Sequence, residues 1–363
     1  MKFVSSLLKH IVYPGLSKGG YLRRSARTGP TVLTYHSVLP AGYEVVDPAL
    51  DGNLVSADSF REQLQFLKNR YNVISPKEFL VWCETKHELP PRSVLLTSDD
   101  GLRSSLFDML PVLQELELEC LFFVTGASLN HAATMLWYEE LHLMLLAAPA
   151  RFSLELLEIG LYAKVKQQEK LSFRWELVRK LSQFDLNRRR TVLERIRMQL
   201  ELSEHWDAEY RDDPLLSRRF LILNLAELHQ LAEAGMCIGA HTLSHPMLSQ
   251  STADVAWKEI SESKCNLEHA LGQDVWALAY PFGDSSSVTS RELQMAKRAG
   301  FKAGFLNTSG GLGPQTPRFA LPRVHITATM SLAEFEAHIS GFHRSLQERF
   351  RPASLSAAVG SNA

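Results

Sequence analysis

Apolar residues arrive along this chain in two rhythms. Short, nearly unbroken apolar runs, TVLTYHSV (31–38), NVIS (72–75), SVLLTS (93–98), CLFFVTG (120–126), MCIGAH (236–241), VWALAY (275–280), FKAGFL (301–306) and FALPRVHI (319–326), read as β-strands. Between them the apolar positions fall three and four apart. Phe60, Leu64 and Leu67 do so behind a Ser56 or Asp58 cap, and further helices are expected after Pro76, over 106–116, up to Gly235, over 253–271 and over 290–299 before Gly300. A strand that is apolar throughout is covered on both faces, as in parallel sheets. The alternation therefore predicts an α/β fold, a βα barrel or open sheet of about seven or eight strands.

The rhythm breaks between 131 and 220. Residues 151–220 hold one glycine, Gly160, and one proline, Pro214, with dense mixed charge around leucines, which predicts two or three amphipathic helices and no strands. The domain organisation read from this is an N-terminal amphipathic segment (1–30), a main domain (31–345) interrupted by the helical insertion (about 131–220), and a C-terminal tail (346–363), disordered after Pro352. In the N-terminal segment Phe3, Val4, Leu7, Leu8, Ile11 and Val12 stand at helical spacing. Such a helix either packs on the domain or rests on a membrane surface. Lys9 and His10 interrupt what would be a secretory core, and no apolar run nears the roughly 18 residues that span a bilayer. The expected location is the cytoplasm, with peripheral membrane contact at most.

Charge narrows the partners. With 363 residues, 39 Lys plus Arg and 40 Asp plus Glu, the formal net charge is -1, so no global field attracts nucleic acid, and none is expected as a partner. Nothing in the chain sets an oligomeric state. The four cysteines, Cys83, Cys120, Cys237 and Cys265, are widely spaced without a CxxC pair and read as free thiols.

Three polar clusters each follow an apolar run directly: Asp99, Asp100 and Gly101; His241 and His245; and Pro281, Phe282 and Gly283. The carboxyl ends of parallel strands open on one face, so the fold gathers these clusters. Asp-Asp-Gly is also an ordinary turn or helix cap, and histidines four apart also occur as packing residues. Together, one carboxylate and two imidazoles form an O and N ligand set that leaves positions open for water and substrate.

TSDDG (97–101), HTLSH (241–245), AYPFG (279–283) and LPRVHI (321–326), in this order, resemble the polysaccharide deacetylase family, the metal-dependent carbohydrate deacetylases of carbohydrate esterase family four. TYHSV (34–38) and the SADSF helix start (56–60) resemble its bacterial exopolysaccharide branch. The similarity covers roughly 31–345 without the insertion. It implies a distorted (β/α)7-type barrel, one divalent cation, zinc by default, and hydrolysis of the acetyl group of an N-acetylated sugar in a surface polysaccharide or glycolipid. By the same resemblance Asp100, His241 and His245 hold the metal, Asp99 is the general base and the Phe282 backbone N–H serves the oxyanion. Ala279 stands where the family's third motif often has an arginine that orients the base, and Arg323 is the candidate to supply that charge. His325 is the candidate general acid. In a strand, Arg323 and His325 share a face and point both inward or both outward.

His36 is a further inward candidate for substrate contact. In MLWYEE (135–140), Trp137 and Tyr138 are expected either to stack on a sugar or to pack in the core, with Glu139 or Glu140 accepting from hydroxyls. Arg188, Arg189 and Arg190 form a solvated helix face or a phosphate site. Two other function classes stay open: a carbohydrate-binding protein on an inactive scaffold, and an amidohydrolase acting on a non-sugar amide.

Overall fold

The computed structural model describes residues 7–24 and 29–349. Its main sheet has eight strands: β1 (Thr31–Tyr35), β2 (Asn72–Val73), β3 (Ser93–Ser98), β4 (Leu121–Val124), β5 (Cys237–Ala240), β6 (Ala277–Ala279), β7 (Ala303–Phe305) and β8 (Val324–His325). All pair in parallel, in the order β7-β6-β5-β4-β3-β1-β8, with β2 beside the start of β3. Just ahead of β8, Leu321 bridges to Phe305: its N–H donates to the Gly304 carbonyl (2.9 Å) and its carbonyl accepts from the Leu306 N–H (2.8 Å). That bridge brings the sheet edges together and gives the distorted (β/α) barrel expected from the motifs.

Helix α1 (Ala57–Arg70) begins at Ser56, one of the two caps the sequence offers, and α2 (Pro76–Thr85) begins at Pro76. Ser56 accepts from the Ser59 N–H (3.1 Å), and Ser75 and Glu78 form a reciprocal box that satisfies two otherwise orphaned N–H groups.

Strand alternation decides what faces the barrel axis. Val32, Leu95, Leu121, Phe123, Ala277, Phe305 and Leu321 form one buried cluster, and the intervening Leu33, Leu96, Phe122, Ile238 and Leu278 pack with the surrounding helices. Moving in steps of two toward the carboxyl ends, the inner rows run from Val32 through Thr34 to His36, from Leu95 through Thr97 to Asp99, and from Leu321 through Arg323 to His325. The inner face is thus apolar below and chemical on top.

The insertion forms its own core. It contains α3 (Trp137–Ala147), a hairpin of Arg151–Leu156 with Leu161–Lys166, α4 (Lys170–Leu181), α5 (Leu186–Gln199) and the short helices Ala208–Asp212 and Pro214–Phe220. Leu141, Leu154, Leu156, Leu177, Val178, Leu193 and Ile196 are buried together. The hairpin corrects the expectation of helices alone. Gly160 turns it at φ +59, and the alternation of Leu154 and Leu156 inward with exposed Ser153 and Glu155 is a strand's.

After the insertion come α6 (Leu225–Glu233), α7 (Ala253–Leu271), α8 (Ser290–Arg298) and α9 (Leu332–Ile339). The N-terminal segment packs on α9: Tyr13 and Leu22 bury against Ala337, and Lys9 pairs with Glu334 at 2.9 Å. Leu7 and Ile11 remain exposed. Phe3, Val4 and the tail after Pro352 lie outside the described residues. All four cysteines are free, Cys83 and Cys120 buried and Cys265 exposed. No helix among the described residues is long and apolar enough to cross a membrane.

Candidate metal centre and active site

At the carboxyl end of β3 the chain turns sharply. Asp99 is still held to the sheet, its N–H donating to the Tyr35 carbonyl (2.9 Å), but Asp100 and Gly101 sit at φ +76 and +69. Position 101 suits glycine, since a Cβ there would lie 2.9 Å from Val124 Cγ1. The reversal sends the two carboxylates different ways. Asp99 points to Arg323, and Asp100 toward the loop after β5.

That loop carries His241 and His245. It is an irregular turn: Thr242 and His245 both have positive φ, and the Thr242 hydroxyl accepts from the His245 N–H (3.1 Å). Ser37, Asp100, Thr242, His245 and Phe282 are five of the nine non-glycine residues with positive φ among those described, and all five follow barrel strands. Strain of this kind persists where surrounding packing over-determines the backbone, commonly at functional sites.

The three candidate ligands converge. Ligand atoms of Asp100, His241 and His245 all lie within 4.8 Å of one another, and all three residues are buried. Asp100 Oδ1 is 3.5 Å from His241 Nε2 and 3.3 Å from His245 Nε2. Asp100 Oδ1 has no hydrogen-bond partner among the described residues, although it is buried. His241 Nδ1 lies 2.8 Å from the Ala279 carbonyl, which makes Nδ1 the protonated nitrogen and leaves the Nε2 lone pair facing Asp100. An orphaned carboxylate oxygen facing two imidazole Nε2 atoms is a donor set that fits one divalent cation. Burial raises the Asp100 carboxyl, yet the two imidazoles outweigh it and hold the group well below the ordinary aspartate value. His245 is pushed down, by burial first, so it favours the neutral form that binds metal.

Asp99 is locked by Arg323. Arg323 Nη1 donates to Oδ1 at 2.7 Å and Nη2 to Oδ2 at 2.6 Å, while Nε reaches the Leu306 carbonyl (3.0 Å). Burial pushes the Asp99 carboxyl up, but the Arg323 charge, then His241 and the Arg323 hydrogen bonds, hold it below its usual value. Ala279 contributes only its carbonyl, to His241, so nothing at that position orients the base. The Arg323 and His325 row faces inward. His325 stands against His36 with ring centroids 4.7 Å apart, and His325 Nε2 and His36 Nδ1 are buried without partners. Burial, aided by the His36 ring, pushes His325 down to about 3.

These groups line one cavity of about 250 Å³, whose walls include His36, Asp99, Asp100, Tyr138, His241, His245, Phe282 and His325. Phe282 adopts φ +61, and its N–H has no acceptor among the described residues. The Tyr138 and Phe282 rings flank His245 at 4.8 and 5.0 Å.

The structure decides between several alternatives that the sequence left open. Trp137 does not line the cavity: it is buried in the insertion core, with its Nε1–H donated to the His245 carbonyl (3.0 Å). Glu139 is chelated by Arg219 (3.1 and 3.0 Å) and Glu140 lies off the cavity, so neither is placed to receive a hydroxyl there. In the basic run Arg188 and Arg190 are exposed, but Arg189 is fully buried and donates to the Ser244 hydroxyl (2.8 Å), bracing the histidine loop. Among the wall residues that escaped the sequence reading are Arg174 and Trp175, from α4 of the insertion. Arg174 had left a trace, because it lies on the apolar stripe of Leu177, Val178 and Leu181.

Fold and site together describe a distorted (β/α) barrel with a candidate metal-ligand triad at its strand ends. Residues 205–304 match the family model described as polysaccharide deacetylase. YxkH of Bacillus subtilis, assigned as a polysaccharide deacetylase, is 26% identical over 113 residues, 31% of this chain; the match spans about two-fifths (39%) of that relative's length. The Streptococcus pyogenes deacetylase PplD, solved in complex with acetate, superposes with a TM-score of 0.54 at 21% identity, covering 86% of this chain and 99% of that one. IcaB from Ammonifex degensii gives 0.52 at 17% identity, covering 87% and 98%. At these identities the superpositions establish the fold. The chain therefore resembles the polysaccharide deacetylases in sequence over 205–304 and in architecture over most of its length.

Proposed function

We propose that the protein is a metal-dependent deacetylase that removes the acetyl group of an N-acetylated sugar in a surface polysaccharide or glycolipid. The observation that carries this reading is the convergence of Asp100, His241 and His245 in a cavity that Asp99, held from behind by Arg323, also lines. Those three residues would hold the cation, with zinc first among ions that suit two imidazoles and a carboxylate. A divalent cation supplies Lewis-acid polarisation of the acetyl carbonyl and acidifies water.

The remaining work falls to the chain. Asp99 accepts the water's proton, and Arg323 keeps both its oxygens oriented and ionised. The Phe282 N–H donates to the acyl oxygen as negative charge develops there. His325 passes a proton to the leaving nitrogen. Because burial keeps its ring neutral at rest, the proton it delivers is the one that Asp99 has taken from the water, so the transfer balances. His36 and Tyr138 touch the sugar. The aromatic wall of Tyr138, Trp175 and Phe282 suits a sugar face and speaks against a small non-sugar amide. PplD, with its bound acetate, supports product binding in this architecture.

The test is acetate release from N-acetylglucosamine oligomers and from lipid- or nucleotide-linked N-acetylated sugars. Release is expected to stop with a chelator and return with divalent metal. Tight sugar binding by the metal-loaded chain without acetate from any of these would favour a carbohydrate-binding role on an inactive scaffold.

A further inference from the structure

A guanidinium buried without compensation is costly, so buried arginines come with partners. Four arginines here are at least nine-tenths buried: Arg174 (4% exposed), Arg189 (0%), Arg219 (0%) and Arg323 (1%). Three are answered from within the protein. Arg323 chelates Asp99, Arg219 holds Asp51 and Glu139, and Arg189 donates to three carbonyls and the Ser244 hydroxyl.

Arg174 is the exception. Its Nη1 lies 2.8 Å from His142 Nδ1, its Nε is buried without a partner, and no carboxylate among the described residues is within ion-pair distance of it. Arginine can only donate, so His142 Nδ1 is the acceptor and His142 offers Arg174 no negative charge. Glu139, the nearby acid, is engaged by Arg219. The guanidinium lies over the Trp175 ring at 4.5 Å, and Trp175 in turn meets Phe282 at 6.0 Å. This fixes the cationic head on the wall of the cavity that holds Asp100, His241 and His245.

We propose that Arg174 receives an anionic substituent of the substrate, a carboxylate or a phosphate carried near the N-acetyl group. The substrate is then an acidic N-acetylated saccharide. The inference rests on the deacetylase reading of the site. A sugar hydroxyl would satisfy one N–H and leave the charge uncompensated, whereas an oxyanion takes two donors of the guanidinium fork at once.

The experiment measures calorimetric binding of N-acetylglucosamine, its 1-phosphate and an N-acetylated uronic acid to the full-length chain, with and without zinc. At least one acidic sugar should bind about tenfold or more tightly than the neutral one. That ratio should fall to near one in Arg174→Gln and survive in part in Arg174→Lys; the acid that wins distinguishes carboxylate from phosphate. Equal binding of neutral and acidic sugars by the wild-type chain overturns the proposal even if the variants fold poorly, and so does a preference that persists in Arg174→Gln. Acetate release is read separately. An Arg174-dependent preference in a chain that releases no acetate would keep this inference and sink the deacetylase reading.

Discussion

Replacing Arg323 with methionine isolates the contact on which the base depends. Methionine keeps much of the side-chain volume, so little cavity is created. What disappears is a bidentate pair at 2.7 and 2.6 Å between side chains 0% and 3% exposed, together with the bonds to Thr97 and the Leu306 carbonyl. Removing one partner of such a buried pair costs about 3–5 kcal/mol, because Asp99 is left charged and unanswered. In an Arg323→Met, Asp99→Asn double-mutant cycle the coupling should be about 2–4 kcal/mol. The pH dependence follows from sign. In the native chain Asp99 is held below its ordinary value, so it contributes stability above about pH 4 that is lost as acid takes the pH down through the folded value. In the variant burial, which raises Asp99, is opposed only by the His241 and His36 rings, so the ionised form is less favourable at neutral pH than in the native chain. The stability gap between wild type and variant should therefore be larger at pH 7 than at pH 4. Urea denaturation of the metal-free chain, followed by circular dichroism at both values, measures it. A variant within about 1 kcal/mol of wild type at pH 7, or a gap independent of pH, would refute the reasoning.

Away from the site, burial and the neighbouring His343 push His338 down to about 3 from an ordinary 6.5, and the two rings stack at 4.0 Å. The unfolded chain takes up a proton that the folded one refuses, so stability should fall between about pH 6.5 and 3, and His338→Gln should flatten that slope in denaturation curves. Gly101→Ala meets both a positive φ and Val124, and should cost about 1–3 kcal/mol of stability while weakening metal binding through the adjacent Asp100; an unchanged midpoint and affinity would deny the turn its role.

The barrel was legible because parallel strands are apolar on both faces. SVLLTS is a strand over its whole length, and the chemistry directly behind it, Asp99 and Asp100, is where the strand ends. The same alternation that left Arg323 and His325 undecided between inside and outside resolves once Leu321 is seen to bridge to β7. The hairpin 151–166 was hidden because its period-two pattern is thin. Only Leu154, Leu156 and Val165 are buried, and dense charge on the other face mimics an amphipathic helix. Trp137 stayed undecided between cavity and core for a different reason. Its position after a strand end is the same whether the ring turns to the cavity or the insertion core, and the hydrogen bond to the His245 carbonyl that decides it joins residues 108 apart in sequence. Arg174 and Trp175 reach the cavity through the fold of the insertion, which no motif encodes.

Cobalt titration of the metal-depleted full-length chain, followed by visible absorption, addresses the centre of the account. One equivalent should bind with a spectrum of mixed nitrogen and oxygen ligation, and Asp100→Ala, His241→Ala or His245→Ala should each abolish binding or weaken it by about two orders of magnitude. No binding, or binding indifferent to these three substitutions, would contradict it.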